Sequence, residues 1–236
     1  MNFFGFQKTT LIDYPGKLAA TIFTGGCNLR CPFCHNKELV TELKNQTPIE
    51  WEDIYNYLIK RKNILKGVCI TGGEPLLYGE ELKEIIKDIH SLGMSVKIDT
   101  NGTLPSILKK IDADYIAMDI KTSLEKYSIL GYTGNDNLIE NIKESISYII
   151  NSKIEHEFRT TVVPYIVEKE DILKICSLIK NCNIYYLAQF RPFNTLDENY
   201  LSIHPYPLSI LEEMKEIAIG NGIKCELRTN YAVTKQ

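Results

Sequence analysis

Short apolar runs alternate with longer segments of helical periodicity along almost the whole chain. The predicted strands are Leu18–Thr24, Gly67–Thr71, Ser95–Thr100, Tyr115–Ile120, Glu157–Val163 and Ile184–Phe190. Most of them are near-continuous apolar runs, which is typical of parallel strands covered on both faces. A last short strand is predicted over Ile223–Leu227.

The segments between these strands carry apolar residues at helical spacing. One apolar stripe consists of Leu82, Ile85, Ile86, Ile89 and Leu92, and a second consists of Leu138, Ile139, Ile142, Ile146, Ile149 and Ile150. Gly93 follows the first stripe and is a favourable residue for ending a helix. Further helices are predicted over Ile49–Ile64, Leu104–Lys110, Lys169–Lys180 and Pro207–Ile219.

Six β–α units in succession predict an α/β fold whose parallel sheet curls into a barrel or part of one. A full eight-unit barrel takes about 250 residues. Six units therefore predict an open partial (β/α)6 barrel. The chain has 236 residues without a Pro-, Ser- or Gly-rich linker, so we expect one domain over residues 1–236. Its core would span about residues 18–190, with a C-terminal helix and strand over about 207–227.

Composition and charge exclude several classes of protein. Apolar residues make up 44% and charged residues 24%, which excludes a disordered tail or a fibrous repeat. The net charge of −3 is unlike that of a duplex nucleic-acid binder. No apolar run reaches the roughly 18 residues of a membrane-spanning helix, and the N-terminus lacks the pattern of a signal peptide. We therefore expect a cytoplasmic protein with neither a nucleic-acid nor a membrane partner.

Three of the seven cysteines, Cys27, Cys31 and Cys34, lie within eight residues of one another. Clustered thiols in a reducing compartment favour a metal site. The other four cysteines occur singly in apolar or helical stretches, where small buried core residues are the ordinary interpretation.

The spacing of the three cysteines allows one loop to place thiolates at three corners of a cubane cluster, which leaves the fourth iron open. Thiolate-rich sites suit iron–sulfur clusters or zinc. A structural zinc site needs four closed ligands, and here a second cysteine pair is missing, although His35 could be a fourth ligand. The run Cys31–His35 also matches a haem-attachment pattern, but that interpretation normally requires export and leaves Cys27 unexplained.

The run Cys27–Cys34, with the aromatic Phe33 before its last cysteine, resembles the signature of the radical S-adenosylmethionine superfamily. The longer stretch from Thr10–Lys17 through Gly26 to Asn36 is similar to activating enzymes for anaerobic ribonucleotide reductase. It is more distantly similar to pyruvate formate-lyase activase. The resemblance extends over about residues 5 to 227. It implies one 4Fe–4S cluster with Cys27, Cys31 and Cys34 as iron ligands, and S-adenosylmethionine as the second cofactor.

Other motifs lie where the predicted strands end, which is where ligands collect in such folds. Alone, Thr71–Pro75 is compatible with a plain turn, Asp99–Gly102 carries an Asn-Gly turn signal, and the residues of Met118–Lys121 could simply pair with each other. The resemblance instead implies contacts to the methionine and nucleoside parts of the cofactor. The cofactor-binding residues implied in this way are Phe33, Gly72, Gly73, Glu74, Asp99, Thr100, Asn101, Asp119, Lys121, Arg159, Val163 and Arg191.

Two positions of the chain depart from the pattern of pyruvate formate-lyase activase. Tyr165 follows the run Val162-Val163-Pro164, at a position where that family has a glycine. Arg191 stands near the position of a histidine that contacts the nucleoside in that family. Arg191 is therefore expected to contact either the cofactor or the protein substrate. Phe33 could equally shield the cluster from water.

The resemblance implies an enzyme that reductively cleaves S-adenosylmethionine to a 5′-deoxyadenosyl radical and installs a glycyl radical on anaerobic ribonucleotide reductase. An electron donor such as flavodoxin or ferredoxin would be a second partner. Between Cys34 and Cys69 there is no further cysteine, so an insertion with extra clusters is not expected. The alternatives are an activase of another glycyl-radical enzyme such as pyruvate formate-lyase, a radical enzyme acting on a small molecule, and a zinc-stabilised binding module.

Overall fold

Eight strands form one sheet, in which their spatial order is their order along the chain. The computed structural model describes residues 1–135 and 137–229. The strands are β1 Phe3–Thr10, β2 Ala19–Thr24, β3 Gly67–Gly72, β4 Ser95–Thr100, β5 Tyr115–Asp119, β6 Glu155–Val162, β7 Tyr185–Gln189 and β8 Cys225–Arg228. All pairs from β2 to β8 are parallel, and β1 pairs with β2 in the antiparallel sense. The predicted α/β fold with an open parallel part-barrel is confirmed.

Helices connect the parallel strands. They are α1 Lys37–Thr41, α2 Trp51–Arg61, α3 Gly79–Ser91, α4 Pro105–Leu108, α5 Leu138–Asn151, α6 Lys169–Leu178 and α7 Leu208–Gly220. Each of the predicted helices is present with ends shifted by a few residues, and α1 is an additional short one. The apolar stripe of α3 is buried in the main hydrophobic core, as its spacing predicts. None of the described helices is long and apolar enough to cross a membrane.

Strand β1 is the element that the hydrophobic pattern does not predict. It contains Gly5 and the run Gln7-Lys8-Thr9, and this run is exposed because the strand lies at the edge of the sheet. An edge strand buries little of its surface, so its sequence shows neither a long apolar run nor a clear alternation.

The two faces of the sheet differ in chemistry. Along β4, Val96 and Ile98 are fully buried in the hydrophobic core, whereas the alternate residues Lys97 and Asp99 point to the other face. Lys97 is 1% exposed, and Tyr115, which lies beside it in β5, is also buried. The sheet therefore curls around an inner face that carries ionised side chains, with its apolar outer face against the helices.

Candidate active site

A cavity of about 200 Å³ lies at the carboxyl ends of the parallel strands. It is lined by Cys27, Leu29, Cys31, Phe33, Cys34, His35, Asn36, Val40, Thr71, Gly72, Gly73, Asp99, Thr100, Asn101, Asp119, Lys121 and Thr161. Segments far apart in the chain thus meet at one place because the strands that precede them are neighbours in a parallel sheet. All three clustered cysteines and most of the sequence-predicted cofactor contacts are in this lining.

The cysteine loop follows β2 and is tied to its surroundings by backbone hydrogen bonds. The Gly26 N–H donates to the Leu39 carbonyl at 2.7 Å, and the Arg30 N–H donates to the Leu130 carbonyl at 2.7 Å. At the other end of the loop the Pro32 carbonyl accepts from the Asp197 N–H at 2.9 Å. These three anchors come from separate segments, so the loop holds its thiols toward the cavity in a defined arrangement.

All three thiols of the cysteine loop are free. Burial raises the pKa of Cys27 to about 11, with a further contribution from the nearby Glu74 carboxylate. Burial also raises the pKa of Cys31 to about 12. Within the described part of the chain, no three His, Cys, Asp or Glu side chains converge closely enough to hold one metal ion. All three thiols line one cavity, and an iron–sulfur cluster with several iron atoms can take one thiolate at each of three corners.

Two glycines bring the β3 loop against the cysteine loop. Gly72 has a φ of +112°, a conformation that other residues rarely adopt. A Cβ at position 73 would overlap the carbonyl oxygen of Gly26, which accepts a hydrogen bond from the Glu74 N–H at 2.8 Å. The close approach at Gly73 is thus to the backbone of the cysteine loop, in addition to the cavity that Gly73 lines.

Glu74 lies behind the wall of the cavity, outside its lining. Its fully buried carboxylate accepts hydrogen bonds from the Thr100 hydroxyl at 2.8 Å and from the Asn101 N–H at 2.7 Å. Burial raises the pKa of Glu74 to about 7, although these hydrogen bonds oppose the change. The carboxylate therefore joins the β3 loop to the β4 loop and fixes the backbone around Asn101.

A row of opposite charges crosses the inner face at the cavity wall. Asp119 pairs with Lys121 at 2.9 Å and with the Arg159 Nε at 2.6 Å, and the other end of the Arg159 guanidinium reaches Asp99 at 3.1 Å. Burial alone would raise the pKa of Asp119, but Arg159 and Lys121 hold that pKa well below its usual range. The pKa of Lys121 is raised, because its attraction to Asp119 outweighs the effect of burial. Both groups are accordingly charged at neutral pH.

Three other sequence-predicted contacts lie outside the lining of this cavity. Arg159 is behind it and holds the two aspartates, and Val163 is fully buried near the end of β6. Arg191 borders a neighbouring cavity of about 300 Å³, and its carbonyl oxygen bonds the His35 Nε2 at 2.7 Å. His35 and Thr161 border both cavities.

Some residues of the site carried no sequence signal of their own. Asn28 is buried beside Cys27, where its side chain accepts from the Asn101 amide at 3.0 Å and donates to the Thr103 hydroxyl at 2.7 Å. Thr161 lines the cavity from β6. The position of Asn28 within the run Cys27–Cys34 could have suggested a role in the site. Thr161 could be assigned to the site only from the register of β6 in the sheet.

Comparison with known proteins agrees with this geometry. The Radical SAM superfamily matches residues 21–179. A protein of Methanocaldococcus jannaschii named as a glycyl-radical enzyme activating enzyme is 34% identical over 222 residues, which cover 91% of this chain and 90% of that protein. The pyruvate formate-lyase-activating enzyme of Clostridium pasteurianum is 29% identical over 206 residues, with 82% of each chain covered.

Solved structures show the same fold. A radical SAM methyltransferase from Sphaerobacter thermophilus superposes with a TM-score of 0.68 at 14% identity, over 92% of this chain and 67% of that one. Enzymes of this superfamily use a 4Fe–4S cluster and S-adenosylmethionine, and the free cysteines beside one cavity fit that cofactor set. With the cysteine loop, the part-barrel and full-length relatives in agreement, the chain belongs to the radical SAM superfamily, in the family of glycyl-radical enzyme activating enzymes.

Proposed function

We propose that this protein installs a glycyl radical on the large subunit of anaerobic ribonucleotide reductase. The observation that carries the proposal is one cavity lined jointly by Cys27, Cys31, Cys34 and the charged pair Asp119–Lys121. Thiolates that bind a cluster and charges that bind an amino acid moiety are the two requirements of this chemistry. Both lie at the carboxyl ends of the strands.

Cys27, Cys31 and Cys34 are assigned one iron atom each. Their thiols are free and share one cavity, and binding iron requires that each lose its proton. The cavity-lining ring of Phe33 is 5% exposed and lies 6.5 Å from the ring of Tyr200, so it shields this space from water. A hydrophobic surrounding of this kind tunes the potential of a cluster.

The methionine end of S-adenosylmethionine is assigned to the charged pair and to the glycine loop. The Lys121 ammonium suits the carboxylate, and Asp119 with the backbone of Gly72 and Gly73 offers acceptors to the amino group. Asp99, Thr100 and Asn101 are assigned to the nucleoside side. Glu74 and Arg159 support these groups from behind the cavity wall, while the roles of Val163 and Arg191 stay predictions.

A cluster held by Cys27, Cys31 and Cys34, together with S-adenosylmethionine at the charged pair, would supply one-electron cleavage of the cofactor to methionine and a 5′-deoxyadenosyl radical able to take a hydrogen atom from a glycine Cα. The electron comes from a donor such as flavodoxin or ferredoxin. The protein orients the cofactor and excludes water, and no side chain has to act as an acid or base. Thiols are kept reduced in the cytosol, so the free cysteines of this chain support a cytoplasmic location.

The choice of the reductase is supported by the run Thr10–Lys17 and by the absence of cysteines between Cys34 and Cys69. The second candidate target is pyruvate formate-lyase, which the similarity to the Clostridium pasteurianum activase favours. The two candidates share the cofactor chemistry and differ only in the protein substrate.

Cluster ligation is tested first, by iron and sulfide counts on anaerobically reconstituted protein. Cys27→Ala, Cys31→Ala and Cys34→Ala should each lose most of the cluster. Cys176→Ala, a buried cysteine outside the cavity, is the matched control and should keep it. Full cluster content in Cys31→Ala would contradict the assignment.

The substrate is tested by mixing reduced protein, S-adenosylmethionine and each candidate glycyl-radical enzyme. A glycyl doublet in the electron spin resonance spectrum of the reductase is the expected result. A doublet on pyruvate formate-lyase and never on the reductase would show that the second candidate is correct.

A further inference from the structure

Lys97 is a charged side chain inside the barrel to which the site described above assigns no role. It lies in the middle of β4, on the inner face, and only 2% of its side chain is exposed. Lysine is almost never fully buried unless it is paired, because the ammonium loses its hydration. Lys97 does not line the cavity, so its partners define what it can do.

The partner of Lys97 is a carboxylate that does line the cavity. The Lys97 ammonium donates to one oxygen of Asp99, while the Arg159 guanidinium donates to the other oxygen at 3.1 Å. The ammonium also lies 3.8 Å from the Cys69 sulfur and 5.9 Å from the centre of the Tyr115 ring. Two cations thus hold both oxygens of Asp99, which fixes the orientation of its carboxylate.

Arg159 extends this arrangement to the neighbouring strand. Its Nε bonds one oxygen of Asp119 at 2.6 Å, and the other oxygen of Asp119 bonds Lys121 at 2.9 Å. Charges of alternating sign therefore run without a break from Lys97 to Lys121 across β4, β5 and β6. Without Lys97, one oxygen of Asp99 would lose its cationic partner, and the carboxylate could turn about its remaining contact with Arg159.

We propose that Lys97 is a positioning residue of the cofactor cavity. Lys97 holds one oxygen of Asp99 while Arg159 holds the other, and so it fixes this carboxylate in the lining. Through Arg159 the same network also supports Asp119 and Lys121. The inference rests on the proposed function, because it takes S-adenosylmethionine as the ligand of this cavity.

The first test is a titration of cluster-loaded protein with S-adenosylmethionine, followed by calorimetry. Lys97→Met, which removes the ammonium and keeps the length of the side chain, should weaken binding by at least about 10-fold at unchanged iron content. Lys126→Met is the matched control. Lys126 pairs with the buried Asp171 at 2.6 Å outside the cavity, so this variant should unfold at a lower temperature and keep its affinity for S-adenosylmethionine.

The second test separates positioning from a general loss of stability and does not need Lys97→Met to fold. Asp99→Asn should weaken binding by at least about 10-fold, and Lys97→Met added to Asp99→Asn should change the affinity by less than about twofold. Such non-additivity is expected only if Lys97 acts through the Asp99 carboxylate. The double variant removes an opposite-charge pair together and leaves neither charge buried alone.

The outcomes distinguish this inference from the proposed function. If the wild-type protein with a full cluster does not bind S-adenosylmethionine, the proposed function is wrong. If the wild-type protein binds and cluster-loaded Lys97→Met binds equally well, the positioning role is wrong. The role is also wrong if Asp99→Asn keeps wild-type affinity, or if Lys97→Met lowers the affinity of Asp99→Asn by a further tenfold.

Discussion

Gly73 shows how one residue can meet two requirements. Its sequence context suggests a loop where a ligand approaches the backbone, and it does line the cavity. The structure adds a steric reason: a Cβ at this position would overlap the Gly26 carbonyl oxygen at the start of the cysteine loop. The glycine therefore sets the distance between the β3 loop and the loop that carries the three thiols.

Gly73→Ala should accordingly impair cluster assembly as well as cofactor binding. The overlap is with backbone, which cannot move aside as the end of a flexible side chain could, so the cysteine loop must shift. Iron and sulfide counts after anaerobic reconstitution measure the effect, and we expect most of the cluster to be lost. Gly220→Ala is the matched control, because a Cβ there has open space and the residue lies at the end of α7, away from the cavity. Equal cluster content in both variants would contradict this account.

Strands β4 and β6 show what an inner barrel face looks like in sequence. Polar Ser95, Lys97 and Asp99 alternate with buried apolar residues along β4. In β6, Glu157 and Arg159 likewise alternate with Phe158 and its buried neighbours. These two strands are therefore not near-continuous apolar runs: their polar residues recur with a period of two, which marks a polar interior.

The segment Thr10–Lys17 lies at the opposite end of the barrel from the cysteines. Asp13 accepts from the Thr21 hydroxyl at 2.6 Å, and Lys17 donates to the Ser95 hydroxyl at 2.5 Å, at the amino ends of the strands. The buried Tyr14 ring lies 5.9 Å from the Tyr115 ring. The segment Thr10–Lys17, which suggests the reductase as partner, therefore packs at the amino end of the barrel and does not line the cavity.

Tyr14→Ala should lower the free energy of unfolding by about 3 kcal/mol, the lower end of the cost of truncating a large core aromatic residue. Tyr14 is 2% exposed and packs beside Gly67, so alanine would leave a void. The affinity of the folded, cluster-loaded variant for S-adenosylmethionine should be unchanged, because the cavity is at the other end of the strands. Urea unfolding and cofactor titration check the two parts. Weaker cofactor binding at full cluster content would show that the segment Thr10–Lys17 also shapes the cavity.

His156 makes the stability of β6 depend on pH. Its Nδ1 bonds the Ile154 carbonyl at 2.9 Å, and its Nε2 accepts from the Asn183 N–H at 3.3 Å, an arrangement that only the neutral ring can make. Burial lowers the pKa of His156 below its ordinary 6.5, so the unfolded chain binds a proton more readily than the folded one. The contribution of neutral His156 to the free energy of unfolding is present above about pH 6.5 and is lost as the pH falls.

As the pH falls below about 6.5, the free energy of unfolding should therefore decrease by up to about 1.4 kcal/mol per pH unit. Anaerobic urea unfolding at pH 7.5 and 5.5 measures the difference. His156→Gln should reduce it, and His204→Gln, at an exposed position, is the matched control that should retain it. A pH dependence that is the same in both variants would mean that other groups cause it.

At the scale of the whole molecule, the carboxyl end of the barrel combines a buried cavity with exposed apolar residues in the loops after β6 and β7. Tyr165 is 79% exposed with a φ of 70°, and Phe193 is 75% exposed. Asp197, in the same loop as Phe193, donates its N–H to the carbonyl of Pro32 and so joins that loop to the cysteine loop. A protein substrate entering from this side would meet the segment Phe193–Tyr200 first.

Phe193→Ala should reduce glycyl-radical formation on the partner enzyme by about 10-fold, while the cleavage of S-adenosylmethionine without partner stays at the wild-type rate. A contact with a partner is worth about 1–2 kcal/mol at an interface residue of this kind, whereas an exposed side chain adds little to the fold. Leu11→Ala is the matched control, since Leu11 is 77% exposed at the opposite end of the barrel. Equal losses of both activities in Phe193→Ala would place this residue in the cofactor site.

The sequence by itself determined the alternation of strands and helices, the open part-barrel and the three-cysteine loop. Each of these depends on residues close together in the chain: a run of apolar residues, a helical stripe, or Cys27–Cys34. The location of the site followed as well, because parallel strands bring the loops after them to one edge.

Only the tertiary structure decided which side chains meet. The contact of Gly73 with Gly26, the burial of Glu74 behind the cavity wall and the pairing of Lys97 with Asp99 and Arg159 depend on strand register and on the curl of the sheet. Edge strand β1 was also beyond prediction, since it buries too little surface to show a pattern. A buried charge is stable only beside its partner, and in this protein the partners come from different strands of the barrel.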